Sequence, residues 1–270
     1  MTNEAESKKH RLEAAARALA DAERDCKPTT LLSAAFPEFT IADAYAVQLI
    51  NIRQRISQGS TVRGYKVGLT NKAVQVQSGI DEPDYGHLLH DRFMNDGESI
   101  AISQLLMPGV EIELAFMLSA PLKGPGVTAA DVFRATAFAV PAIEIVGSRY
   151  DRTGPAKFTI VDTIADNAGF SRIVLGAQAT VLTGLDLSTV GGVLRKNGEI
   201  VDTGATGAVL GNPANSVAWL ANKLADFDIG FEAGQIILSG SCVKIMRDVK
   251  AGDFVAGDFD RFGHVGVHFR

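Results

Sequence analysis

The stretch Val110-Glu111-Ile112-Glu113-Leu114-Ala115-Phe116 sets two carboxylates inside an apolar run. Alternation of this kind marks a β-strand, in which residues two apart share a face. Glu111 and Glu113 then project together, about 7 Å apart along the strand, while Val110, Ile112 and Leu114 face the other way. A second run, Val140-Pro141-Ala142-Ile143-Glu144-Ile145-Val146, carries a third glutamate among apolar neighbours. Pro141 places that glutamate near the beginning of its strand. Like charges in a dry setting are costly unless neutralised, and three convergent carboxylates suit a hard divalent cation such as Mg²⁺ or Mn²⁺. Spacing leaves a plainer alternative open, in which the glutamates are solvated on half-exposed strands.

These strands belong to a chain of 270 residues, 46% hydrophobic and 21% charged, the composition of a globular enzyme. The length allows one large domain, or a domain with a smaller appendage. A net charge of −5 speaks against nucleic acid and anionic membranes, which select clustered basic surface. The expected partner is a small molecule. No apolar run reaches the roughly 18 residues of a membrane span. The first residues, with Glu4, Glu6, Lys8, Lys9 and Arg11, lack the apolar core of a secretory signal. Cys26 and Cys242 stand far apart with no ligand spacing, so neither a disulfide framework nor a zinc site is indicated. A cytoplasmic location is the expectation.

Around the glutamate strands the chain divides in texture. Residues 4–25 are rich in Ala, Glu, Lys and Arg and read as a helix. A second helix starts with Thr40 as cap and Asp43 reaching back, and Gly59 ends it. From Val62 short apolar runs punctuated by glycine predict strands, giving residues 1–60 as an N-terminal helical cap and 61–270 as a catalytic domain with inserted helices. A third helix opens at Thr128 with Asp131 in the capping-box position and stops before Pro141. Asn197-Gly198, between Val193 to Lys196 and Glu199 to Asp202, predicts a two-residue hairpin. Asn212-Pro213 opens a helix with Val217, Leu220, Leu224 and Phe227 as its apolar stripe. Segregated helices and strands favour an α+β class over a regular βαβ repeat.

Several motifs bear on chemistry. Lys66 lies in Gly64-Tyr65-Lys66-Val67-Gly68, between glycines that permit close approach of a ligand. Beside a metal-bound substrate it would serve as a general base with a lowered pKa, or as a fixed cation for developing enolate charge; an exposed surface lysine is an equal reading. Glu82-Pro83-Asp84-Tyr85-Gly86 is a turn by composition, and Asp84 is a candidate proton carrier within it. The polar run Asp162 to Ala168 has the texture of a functional loop or a helix cap. Ser239-Gly240-Ser241 offers hydroxyls and backbone N–H groups for a carboxylate. No dinucleotide fingerprint, phosphate loop or metalloprotease spacing is present.

Taken in order, these segments resemble the hydratase and decarboxylase family of aromatic meta-cleavage catabolism, a branch of the fumarylacetoacetate hydrolase-like superfamily. The similarity covers nearly all of the chain after about residue 30. It implies a mixed β-roll of the fumarylacetoacetate hydrolase C-terminal type with Mg²⁺ or Mn²⁺ on Glu111, Glu113 and Glu144, and with Lys66 and Asp84 at the active site. The implied substrates are 2-hydroxy-2,4-dienoates and their 2-oxo-enoate tautomers, 2-oxohept-4-ene-1,7-dioate or 2-oxopent-4-enoate among them. The adjacent 2-oxo and carboxylate oxygens of such a substrate chelate one metal. Hydration protonates C5 and adds water at C4, giving a 4-hydroxy-2-oxo acid. The same electron sink serves a decarboxylase of the 4-oxalocrotonate type, which is the alternative activity, and a catalytically silent partner subunit is the alternative of another class. Ser241 is the expected contact for the substrate, and Arg149, or else Arg152, the expected cation for a second carboxylate. A homo-oligomer that associates with an enzyme of a neighbouring step is also implied.

Overall fold

The computed structural model describes residues 2–78 and 80–270. Its helices are α1 (Thr2–Asp25), α2 (Leu32–Ala35), α3 (Ile41–Ser57), α4 (Lys72–Ser78), α5 (Ala129–Ala135), α6 (Ile160–Ala165) and α7 (Pro213–Ala225). Strands are β1 (Val62–Gly68), β2 (Asp84–Leu89), β3 (Phe93–Asn95), β4 (Ser99–Ile100), β5 (Gly109–Leu118), β6 (Thr136–Val146), β7 (Phe170–Leu175), β8 (Gly191–Lys196), β9 (Glu199–Ala205), β10 (Ile236–Ser241), β11 (Phe254–Phe259) and β12 (Gly263–Phe269). A seven-stranded sheet runs β2-β1-β10-β5-β6-β7-β3, and a five-stranded sheet runs β4-β12-β11-β8-β9. Both are mixed, with parallel pairs β1–β10, β3–β7 and β4–β12 among antiparallel ones. The α+β class stands.

Local chemistry explains most of the elements. Thr40 and Asp43 close a reciprocal capping box on α3, and Thr128 and Asp131 do the same on α5, each satisfying N–H groups that a helix start leaves open. Asn197 and Gly198 take φ of 53° and 87°, which lets Lys196 pair with Glu199 across the tight turn from β8 to β9. On α7 the Asn212 side chain accepts from Ala214 N, and Val217, Leu220 and Leu224 are fully buried, each contributing about 1.5–3 kcal/mol. Phe227 falls outside this stripe. The helix ends at Ala225 and the ring is 44% exposed.

Two boundaries differ from the sequence expectation. α5 ends at Ala135, and β6 already runs from Thr136, with Pro141 in its middle opposite Leu114. The strand tolerates proline because the Pro141 carbonyl points toward Gly176 N, just past the last β6–β7 pair, Ala142 with Leu175. The N–H that proline lacks would face the same side, beyond the end of the β6–β7 ladder, where Gly176 N already donates to the Pro141 carbonyl. Asp84, Tyr85 and Gly86 form no turn; they open β2 and are buried.

The two sheets pack where β5, β6 and β7 meet β8, β11 and β12. Val110, Ile112, Leu114 and Phe116 fill that main core. The opposite face of the large sheet carries a smaller apolar cluster that includes Ala115, Val140, Ala142 and Leu238. Glu111, Glu113 and Glu144 share this second face. On the helical side α3 packs on α1 and α6. No described helix is long and apolar enough to cross a membrane.

Candidate metal centre and active site

Register brings the three glutamates together. Glu111 is the direct cross-strand partner of Glu144 in the β5–β6 ladder, and Glu113 lies two residues further along β5. One carboxylate oxygen from each lies within 4.8 Å of the other two, the only such group of His, Cys, Asp or Glu among the described residues. Glu113 and Glu144 are buried and Glu111 is half-buried, which removes the reading of solvated side chains for the first two. Gly240 N donates to Glu113 Oε2 at 2.6 Å. Both oxygens of Glu144 lack a hydrogen-bond partner, an expensive condition for a buried carboxylate. Burial and the Glu144 charge push the Glu111 carboxyl up to about 7. Burial and the neighbouring glutamates raise Glu113 well above the usual range, and burial raises Glu144 against the pull of Lys66. Oxygen donors, convergence and unmet lone pairs fit a hard divalent cation.

Lys66 is buried on β1, with Nζ 3.4 Å from Glu144 Oε1 and donating to Ala168 O at 3.0 Å. Burial opposes its charge, yet Glu144, Asp84, Glu111 and Glu113 outweigh burial and raise its pKa. Of the two readings of Lys66, a base with a lowered pKa or a fixed cation, this direction favours the fixed cation. Asp84 is buried too; Thr163 Oγ1 donates to its Oδ2 at 3.1 Å, and Oδ1 has no partner. Burial raises the Asp84 carboxyl above its usual value, against Lys66 and Thr163. Gly68, the register partner of Asp84, leaves the room for this pair. A Cβ there would sit 2.2 Å from Asp84 Oδ1 and 3.0 Å from Lys66 Nζ.

The segment carrying Ser241 serves the cluster by a different atom. Ser241 Oγ is engaged locally, donating toward Ile112 O or Val243 O at 3.1 Å and accepting from Val243 N. Gly240, at φ 100°, turns its N–H onto Glu113, and the buried Ser239 hydroxyl is the one left without a partner. Arg149 is tied up elsewhere. Its Nε pairs with Asp166, and Nη1 and Nη2 reach Phe170 O at 3.2 Å.

Arg247 is the arginine whose charge acts on Glu111, and sequence reading passed it over. Met246 and Val110 exchange both backbone hydrogen bonds, at 2.8 and 3.0 Å, so Arg247 projects on the face that Glu111 occupies. Arg152 stacks its guanidinium 4.1 Å from the centre of the Phe158 ring, and its charge acts on Arg247. Neither arginine is in an ion pair among the described residues. Thr163 and Ala168 were also missed singly, although the polar run containing both had stood out.

Residues 61–270 match the fumarylacetoacetate (FAA) hydrolase C-terminal family. The chain belongs to that family. Among family relatives it is 41% identical over 264 residues to a 2-oxo-hept-4-ene-1,7-dioate hydratase of Escherichia coli, covering 97% of this chain and 98% of that one. A 2-keto-4-pentenoate hydratase of Paraburkholderia xenovorans is 42% identical over 257 residues, 95% of this chain and 94% of the relative. The fold superposes on a 4-oxalocrotonate decarboxylase from Pseudomonas putida G7, solved with magnesium and adipate, at a TM-score of 0.91 and 36% identity, covering 97% and 98% of the two chains.

Proposed function

We propose that this member of the FAA hydrolase family is a divalent-metal-dependent hydratase that adds water to a 2-hydroxy-2,4-dienoate, giving a 4-hydroxy-2-oxo acid. The observation that carries the reading is the convergence of Glu111, Glu113 and Glu144 beside Lys66 and Asp84, with the Glu144 oxygens and Asp84 Oδ1 accepting no hydrogen bond. Glu111, Glu113 and Glu144 would hold Mg²⁺ or Mn²⁺, which supplies Lewis acidity toward adjacent carboxylate and 2-oxo oxygens. The magnesium and calcium complexes of the similar decarboxylase support a divalent ion.

The residues of the chain divide the remaining work. Lys66, held as a cation by the carboxylates and by Ala168 O, balances negative charge that develops on the substrate. Asp84 is the proton carrier: Thr163 fixes one oxygen, burial raises the carboxyl, and the other oxygen is free to exchange a proton. Arg247, on the Glu111 face and without an ion pair, is the cation for the far carboxylate of a dicarboxylate substrate. Residues 1–60 act as a cap on the catalytic body of 61–270, and the enzyme is a cytoplasmic homo-oligomer.

A second reading, release of CO₂ from a 2-oxo-3-enedioate by the same site, has the decarboxylase superposition in its favour. One paired assay separates the two. Loss of the dienol ultraviolet band without CO₂ is expected for the hydratase, stoichiometric CO₂ would establish the decarboxylase, and neither signal with Mg²⁺ present would overturn both.

A further inference from the structure

A cavity of about 580 Å³ lies between α1, α3 and the segment 165–172, and its lining includes none of Lys66, Asp84, Glu111, Glu113 or Glu144. Arg55, Arg92, Arg149 and Arg172 all line it, and all four charges act on Glu23, another lining residue. Arg92 Nη2 is 3.2 Å and Arg55 Nη1 3.7 Å from Glu23, both arginines also pair with Asp91, and Arg149 pairs with Asp166. Arg24 also lines the cavity but is paired with Asp21 and Asp25, and of the other four guanidiniums three are paired with Glu23, Asp91 or Asp166. Arg172 is the one left over: among the described residues no carboxylate lies within 4.0 Å of it, and its Nη1 reaches only the neighbouring Ser171 carbonyl, at 2.8 Å. Burial and the Arg92 charge hold its pKa down to about 10, against the pull of Glu23 and Asp91. A second orphan lies in the same lining. Asn51 Oδ1 is buried and has no donor.

A guanidinium fork matches a planar carboxylate in bidentate fashion, an orphaned acceptor calls for an O–H or N–H donor, and the volume is that of a small-molecule site. We propose that this cavity binds a small hydroxy carboxylate, its carboxylate held by Arg172 with Arg92 alongside and its hydroxyl donated to Asn51 Oδ1. The site shares a turn with the carboxylate cluster, because Asp166 and Asn167 line it and the next residue, Ala168, holds Lys66.

Calorimetric titration of the full-length, metal-free protein with malate tests this assignment. Saturable binding is expected, weakened about tenfold or more in Arg172→Ala and unchanged in Arg247→Ala, which touches neither the cavity lining nor its turn. Arg172→Lys, which keeps the charge and loses the fork, should fall between. Asn51→Leu should weaken malate while leaving succinate, which has no hydroxyl, as in the wild type. No saturable binding, wild-type affinity in Arg172→Ala, or loss in Arg247→Ala, which would place malate beside the glutamates, overturns it. Dienoate turnover by Arg172→Ala is read separately, so failure of this site leaves the hydratase reading intact.

Discussion

Lys66 Nζ lies 3.4 Å from Glu144 Oε1 although their strands stand three places apart, β1 and β6 being separated by β10 and β5. In a flat sheet three steps span about 14 Å, so the sheet must curl to close the gap. Register shifts between Val62 and Gly64 on β1 and between Leu238 and Ser241 on β10 supply bends at the strands concerned. Lys66 and the three carboxylates thus meet on one face of the sheet.

Loss of a Glu144 carboxylate oxygen should strip the metal. For Glu144→Gln we expect Mg²⁺ affinity and turnover to fall about a hundredfold or more, and the melting temperature to stop rising when Mg²⁺ is added. Metal content, turnover and melting curves check this. A variant that keeps wild-type metal content and activity would remove Glu144 from the centre.

Room at Gly68 is a separate requirement. In Gly68→Ala the new Cβ meets Asp84 Oδ1 at 2.2 Å, so Asp84 and Lys66 must part. Turnover should drop about tenfold or more while Mg²⁺ binding is retained, which steady-state kinetics and a metal titration resolve. Equal loss of both would mean that the clash spreads to the glutamates.

His87 sets an acid limit on stability. Burial lowers its pKa from 6.5 to about 4, with Nδ1 3.0 Å from Gln48 Oε1. A base with a depressed folded pKa contributes stability that is present above 6.5 and is lost as pH falls toward 4, because the unfolded chain takes the proton first. Urea unfolding should show a loss of up to about 2 kcal/mol between pH 7 and pH 5 from this group, and His87→Asn should flatten that part of the profile. An unchanged slope in the variant would assign the loss to other groups.

Arg247 should discriminate between substrates. Arg247→Ala is expected to raise KM about tenfold for 2-oxohept-4-ene-1,7-dioate and to leave 2-oxopent-4-enoate, which has no distal carboxylate, within a factor of about two. Parallel kinetics on the two acids decide it. An equal rise for both would put Arg247 at the shared end of the substrate.

The sequence by itself determined what local physics controls: the capping boxes of α3 and α5, the Asn197-Gly198 turn, and the alternation that puts Glu111 and Glu113 on one face of β5. It also marked Glu144, because a carboxylate in an apolar strand is costly wherever that strand goes. Tertiary structure alone decided the rest. Pairing in register made Glu111 and Glu144 opposite partners, curl brought Lys66 across two strands, and β2 took up an aspartate whose neighbours read as a turn. Arg149 and Arg247 show the limit most clearly. Both are arginines close in sequence to the glutamate strands or their neighbours, yet one is consumed by Asp166 while the other is in no ion pair among the described residues and donates to Met107 O at 3.4 Å, since long-range pairing, which no local pattern encodes, chooses the partner of each charge.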